Sequence, residues 1–274
     1  MTSATFSSVS NIVELPGRVR LDYVEQGDPA GIPVVMLHGI TDSWHSFERV
    51  LPRLPTSIHA FALSQRGHGD SDRPATGYDP RDFAADVAAF MDAVEVDPAV
   101  IVGHSMGGTI AQAFAIAEPK RTLGLVLLST PPTFRGNPSL VELWDTAVAT
   151  LTDPIDAGFV REFQESTLAQ PVSPSFIDTA VRESLKVPAR VWRAALKCLI
   201  EADLSGELGK ITAPTLTVWG DQDDMVSRSE QDALTAAIAG SRLVVYPGAG
   251  HAVHWDEPER TAADVATFIE RLAG

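Results

Sequence analysis

One cysteine, Cys198, in a chain of 274 residues leaves no partner for an internal disulfide. Its neighbours Leu196, Leu199 and Ile200 predict a buried structural thiol rather than a nucleophile. Positive charge is also scarce: 21 Lys and Arg face 36 Asp and Glu, giving a formal charge of -15 and a pI near 4.8. Nucleic acid and anionic membrane surfaces both select for basic patches, so neither is expected as a partner. Acidity of this kind says little about a small substrate, since surface carboxylates mostly serve solubility. No run approaches the ~20 apolar residues that a membrane helix requires. The stretch from Met1 to Asn11, rich in Ser and Thr, lacks both the basic start and the apolar core of a signal peptide, so a cytoplasmic protein is expected. Seven histidines are present, yet none stands in His-Glu-x-x-His or pairs with nearby acids at metal-ligand spacing. Neither a metal nor a cofactor is expected.

What is present is enough apolar material, 45%, to bury a substantial core, and no internal repeat divides it. Short apolar runs at Val34–Leu37, Ala60–Leu63, Ala99–Val102, Leu123–Leu128, Thr215–Val218 and Leu243–Tyr246 read as strands. Helical stretches alternate with them. Within Asp82–Val94, Phe83, Val87, Phe90, Met91 and Val94 fall on one face, and Thr261–Leu272 reads as a closing amphipathic helix. The alternation predicts an α/β fold, a doubly wound and mostly parallel sheet covered on both faces, extended by a hairpin from Val13 to Glu25. From Pro132 to about Asp203 the alternation stops. That section is helical in pattern and punctuated by Pro138, Pro154, Pro171, Pro174 and Pro188.

Gly103-His104-Ser105-Met106-Gly107 follows the apolar run Val100-Ile101-Val102. A serine on a tight strand-to-helix turn is forced into a strained backbone, and side chains two residues to either side would collide. Glycine at 103 and 107 removes both collisions. Ser105 would then stand exposed above the sheet, beside the electropositive start of a helix that continues through Gly108 and Thr109 to Ala115. A nucleophilic serine needs a base and a group to orient that base. After the strand at 215–219 comes Gly220-Asp221-Gln222-Asp223-Asp224, a turn with three carboxylates, and after the strand at 243–246 comes Pro247-Gly248-Ala249-Gly250-His251.

These motifs, in this order, resemble the α/β-hydrolases of the esterase, lactonase and carbon-carbon hydrolase group. Val34-Val35-Met36-Leu37-His38-Gly39-Ile40 is similar to that family's strand ending in His-Gly, and Arg66-Gly67-His68-Gly69-Asp70-Ser71 to its Arg-Gly-x-Gly-x-Ser turn. Gly250-His251 and Glu257-Pro258-Glu259 complete a pattern that spans nearly the whole chain. The resemblance implies Ser105 as nucleophile, His251 as general base and then acid, and Asp223 as the orienting carboxylate, three residues after Gly220. It implies an oxyanion hole made by the backbone amides of Ile40 and Met106, each such donor typically contributing about 2.7 to 4 kcal/mol in the transition state. His38 and His104 are implied to make structural hydrogen bonds, while His254, three residues after His251, is the rival base. Ser64 departs from the family, which often has aspartate there, and this bears on the local loop.

The resemblance also implies that residues 132–203 form a helical cap over a core made of 1–131 and 204–274. Trp144, Phe159, Phe163, Phe176 and Trp192 are then expected either to line an apolar acyl pocket or to hold the cap together. Because relatives that open epoxides or displace halide use aspartate where this chain has Ser105, the implied activity is a carboxylesterase on small to medium, largely apolar esters. Lactones, including acyl-homoserine lactones, come next, followed by carbon-carbon bond hydrolysis, perhydrolysis, and a non-catalytic ligand receptor. The expected partner is a small ester or lactone, with the chain a monomer or homodimer.

Overall fold

The computed structural model describes residues 9–272; the Ser- and Thr-rich start at 1–8 lies outside them. Eight strands form one sheet: β1 (Asn11–Glu14), β2 (Arg20–Gln26), β3 (Ile32–Leu37), β4 (Ile58–Ser64), β5 (Ala99–His104), β6 (Thr122–Leu128), β7 (Thr215–Gly220) and β8 (Arg242–Tyr246). Their spatial order is β1-β2-β4-β3-β5-β6-β7-β8. The pairings β1·β2 and β2·β4 are antiparallel and all others parallel. The hairpin thus joins the sheet through β4, with Tyr23 opposite Leu63. Each expected strand is present, lengthened by up to two residues at either end.

Side chains alternate between the two faces with the strand period of two. Val35, Leu37, Ile101, Leu125 and Leu127 point into one core, and Val34, Met36, Val100, Val102, Val126 and Leu128 into the other. The first face is covered by helices α1 (Pro80–Ala93) and α2 (Met106–Ala117). The second is covered by two 3₁₀ turns, Trp44–Phe47 and Leu51–Arg53, together with the late helices α8 (Val253–Asp256) and α9 (Pro258–Leu272). Helix α1 begins at a capping box: Asp79 accepts from Arg81 N–H, Asp82 answers the Asp79 amide, and Pro80 supplies a preset φ at the first helical position.

Between β6 and β7 the chain makes four helices, α3 (Pro138–Thr146), α4 (Ala157–Glu165), α5 (Pro174–Leu185) and α6 (Ala189–Glu201), and α7 (Arg228–Ala237) follows β7. Three of the five prolines named in this stretch are start signals, and Pro154 and Pro171 lie in the connections. Pro138 and Pro174 occupy first turns behind the caps Asn137 and Ser173, and Pro188 caps α6. Cys198 on α6 is half-buried rather than enclosed, and burial pushes its thiol above the usual range.

Chain order explains where a site can form. From β3 the chain runs to β4 on one side and then crosses to β5 on the other, so neighbouring connections leave β3 and β5 in opposite directions. A crevice at the carboxyl ends of the strands results. His38, Ser105, Asp223 and His251 all follow strand ends on that edge.

Candidate active site

Ser105 sits at φ 52°, ψ -116°, between β5 and α2. Such a backbone costs of order 1 to 3 kcal/mol and persists only where its surroundings dictate it. Those surroundings are glycines. A Cβ on Gly103 would lie 2.2 Å from the Gly107 carbonyl oxygen, and one on Gly107 would lie 2.2 Å from the Leu37 carbonyl oxygen. Both obstacles are backbone and cannot swing aside. Gly103→Ala is therefore expected to lower stability by about 3 kcal/mol, or roughly 6 to 12 °C in Tm. Gly206→Ala, where nothing lies within 4 Å, should change stability by less than about 0.5 kcal/mol. Thermal unfolding of the pair checks this, and equal melting temperatures would refute the steric account.

The Ser105 hydroxyl donates to His251 Nε2 at 2.9 Å, and His251 Nδ1–H donates to Asp223 Oδ2 at 3.0 Å and Oδ1 at 3.1 Å. All three side chains are buried. Asp223 Oδ1 also accepts the amides of Met225 and Val226, each at 2.9 Å, which fixes the plane of the carboxylate. Its neighbours do other things: Asp221 is exposed and accepts from Gln222 and the Gly248 amide, and the Asp224 carbonyl accepts from the Ser139 hydroxyl. The arrangement pairs a serine hydroxyl with an imidazole held in the tautomer whose Nε2 is free to take a proton.

The other histidines hold this frame. His38 Nδ1–H donates to the Gly39 carbonyl at 2.7 Å, and its Nε2 accepts the Gln65 amide at 3.0 Å. His104 Nε2–H donates to the His251 carbonyl at 3.1 Å, tying the two loops together. His254 faces away from Ser105, with Nε2 at 3.0 Å from the Ser46 hydroxyl, and burial pushes its pKa down to about 3. Burial also lowers His68 to about 4 and takes His38 and His104 well below the usual histidine range. Among the described residues no group of three or more His, Cys, Asp or Glu is placed to hold a metal ion.

Ile40 follows β3, and Met106 opens α2. Among the described residues neither amide is engaged by another protein acceptor. Both residues are buried beside Ser105, and Ile40 shares its cavity. Leu140, Phe163, Leu199, Met225 and Trp255 supply apolar walls, and Asp42, Gln164 and Thr167 are polar. Of the aromatics proposed from sequence, Phe163 borders this space. Trp192 is instead fully buried, its ring edge-on to Phe163 at 5.4 Å and tilted against Phe159 at 5.7 Å. Trp144 packs half-buried against the same core, and Phe176 meets Trp255 edge-on at 5.1 Å. Trp192 is thus engaged in packing within the insertion, while Phe163 and Trp255 are the large rings that reach the cavity.

Sequence reasoning passed over Asp42 and Gln164. A signal for Gln164 exists: Val160, Phe163, Gln164 and Thr167 share one stripe of helix spacing, so an amide stands on an apolar face. Asp42 is buried, and burial raises its pKa to about 7 against the lowering effects of Gln164, Ser46 and His251. Ser64 donates to Asp22 Oδ2 at 2.9 Å while Ser71 donates to the Ser64 carbonyl, so this loop is held with the carboxylate supplied from β2. In the following turn, Arg66 grips Asp86 through Nε at 2.5 Å and Nη2 at 2.7 Å.

Comparison with known proteins places this geometry in a group. A family model for the alpha/beta hydrolase fold matches residues 32–258. A non-heme chloroperoxidase of Streptomyces lividans is 31% identical, over 90% of this chain and 95% of its own. A 2-hydroxymuconate semialdehyde hydrolase of Pseudomonas sp. strain CF600 is 30% identical, over 88% of this chain and 87% of its own. Among solved structures, an esterase from Exiguobacterium antarcticum superposes with a TM-score of 0.86 at 24% identity, covering 96% of this chain and 100% of that one. By the family match and the first relative alike, the chain belongs to the alpha/beta hydrolase fold family.

Proposed function

We propose that the protein is a serine hydrolase of small to medium, largely apolar carboxylic esters. The observation that carries the reading is the unbroken relay from the Ser105 hydroxyl through His251 to Asp223, at 2.9 and 3.0 Å, opening into an apolar cavity. Ser105 Oγ attacks the ester carbonyl as its proton passes to His251 Nε2, and the amides of Ile40 and Met106 hold the negative oxygen. The C–O bond then breaks and the alcohol leaves with the proton from His251. Water adds to the acyl-enzyme by the same route, releasing the acid and restoring the serine hydroxyl. Asp223 keeps the imidazole oriented and balances its positive charge. No cofactor enters this cycle.

Residues 132–203 act as a cap in this reading, because Leu140, Phe163, Gln164 and Leu199 of its helices wall the cavity over Ser105. A roof of that kind limits substrate size and excludes water. Carbon-carbon bond hydrolysis is the second reading, favoured by the relative named for 2-hydroxymuconate semialdehyde; lactone hydrolysis uses the ester mechanism unchanged.

The test is turnover of a chain-length series of p-nitrophenyl esters beside matched lactones and a vinylogous 1,5-diketone, with wild type and Ser105→Ala. Fast ester hydrolysis that vanishes in the variant supports the esterase reading. Preference for the lactones moves the substrate class alone, preference for the diketone favours the second reading, and inertness toward all three would overturn the proposal.

A further inference from the structure

Thr41 stands at φ 68°, in the turn that joins the end of β3 to the 3₁₀ turn at Trp44–Phe47. A β-branched residue is a genuine outlier in that left-handed region, so something outside the turn must hold it there. Local bonds account for part of the hold. His38 fixes the Gly39 carbonyl at 2.7 Å, before Ile40. Beyond Ile40, the Asp42 amide reaches the Gly39 carbonyl at 3.4 Å and Ser46 bonds Asp42 locally, and the remaining anchors come from helices far along the chain.

Gln164, on α4, points its amide nitrogen at Asp42 Oδ1 at 3.0 Å and at the Ser184 hydroxyl, on α5, at 2.6 Å. Thr41 Oγ1 lies 3.2 Å from the same Ser184 hydroxyl and 3.4 Å from the Gln164 amide nitrogen. Asp42 Oδ2 accepts from Ser46 at 3.2 Å. Every one of these side chains is buried, Gln164 with 1% of its surface exposed. A primary amide has two N–H groups, and here both are spent on Asp42 and Ser184. Among the described residues no Lys, Arg or His lies within ion-pair distance of Asp42, so the Gln164 and Ser46 donors are its compensation for burial. The polar chain therefore runs from α5 through Thr41 and from α4 through Asp42, closing on both residues that follow Ile40.

We propose that Gln164 is a positioning residue: from α4 it fixes the Thr41-Asp42 segment so that the Ile40 amide stays aimed at the developing oxyanion. This rests on the reading of Ser105 as nucleophile and Ile40 as an oxyanion donor. The helical insertion then has a second task besides roofing the cavity, since it supplies the external support that a strained turn requires. An oxyanion donor acts only when it is placed before the charge develops, so a loosened turn lowers the rate of attack while leaving ground-state binding little changed.

The experiment uses Gln164→Met, which keeps the volume of the side chain and removes its donors, and Ser184→Ala, which removes the hydroxyl between Gln164 and Thr41. Two rates are read for each: covalent labelling of Ser105 by a fluorophosphonate, in which serine oxygen displaces fluoride from phosphorus, and hydrolysis of a p-nitrophenyl ester. Labelling and kcat are expected to fall about tenfold or more in Gln164→Met, with KM within twofold and melting above the assay temperature. Ser184→Ala should fall in the same direction. Unchanged labelling in a folded Gln164→Met, or a raised KM at constant kcat, would overturn the positioning role while wild-type labelling keeps the serine reading intact. If Gln164→Met does not fold, Ser184→Ala decides by the same criteria. A wild type that the probe does not label would overturn both.

Discussion

Asp223→Asn is expected to cost about 10⁴ in kcat, and Ser105→Ala about 10⁶. The first figure follows from how this carboxylate is held. Oδ1 accepts two backbone amides, from Met225 and Val226, while Oδ2 faces His251 at 3.0 Å. An asparagine keeps those two bonds only by placing its carbonyl oxygen at Oδ1, and its NH₂ group then replaces Oδ2. Two donors would meet at His251 Nδ1, so the imidazole would move its proton to Nε2. In that tautomer it cannot accept from the Ser105 hydroxyl. Asp221→Asn is the control, because Asp221 is exposed and, among the described residues, its carboxylate accepts from Gln222 and Gly248 alone. Steady-state kinetics on the best ester of the panel checks the set. A fully active Asp223→Asn, or a loss at Asp221→Asn comparable to it, would reassign the acid.

Which parts of this site could be read in the sequence follows from the range of the forces involved. Gly103 is legible because its reason is local, the obstacle to a side chain there being the carbonyl of 107, whereas the obstacle at Gly107 is the Leu37 carbonyl on a neighbouring strand. The strand ends are legible because a run such as Val100-Ile101-Val102 followed by glycine leaves little choice of structure. Parallel pairing at the crevice then brings Ser105 and His251 together, although 146 positions separate them. The aromatics of the insertion are different. Their helical pattern predicts burial, and Trp192 is buried, but burial against Phe159 and Phe163 and exposure to a cavity give the same periodicity. Rotation of α4 and α6 about their axes decides between them, and that rotation is set by packing with one another. Asp42 and Gln164 lie further still from local reasoning, being 122 positions apart and joined only once α4 is seated on the turn after β3.

Acidification is expected to destabilise the fold steeply once the pH falls below about 6.5, the ordinary histidine value. Four histidines are buried in neutral form: His38, His68, His104 and His254. In each case burial is the leading cause of a lowered pKa, and neighbouring histidines add to it at 38, 104 and 254. The sign is fixed by proton counting. Above pH 6.5 both folded and unfolded chains carry these rings neutral, so nothing is lost. Below it the unfolded chain binds protons that the folded chain refuses, until the folded pKa is reached near 4 for His68 and near 3 for His254. Between pH 7.5 and 5 that difference costs about 2 kcal/mol for each of these two. His38 and His104 act in the same direction. Asp42 opposes them: raised to about 7, it takes up a proton in the folded chain before the unfolded one does, returning about 2 kcal/mol over the same interval. His68 and His254 against Asp42 leave a net loss of about 2 kcal/mol, to which His38 and His104 add in the same direction, and that is a sizeable share of the 5 to 15 kcal/mol typical of folded domains. Urea unfolding midpoints at pH 7.5, 6.5, 5.5 and 5.0 should be flat over the first step and then fall with growing steepness. A midpoint that holds or rises down to pH 5 would mean that these rings accept protons inside the fold. The hydrogen bonds His38 Nε2 receives from Gln65 and His254 Nε2 shares with Ser46 would then have to rearrange around a cation.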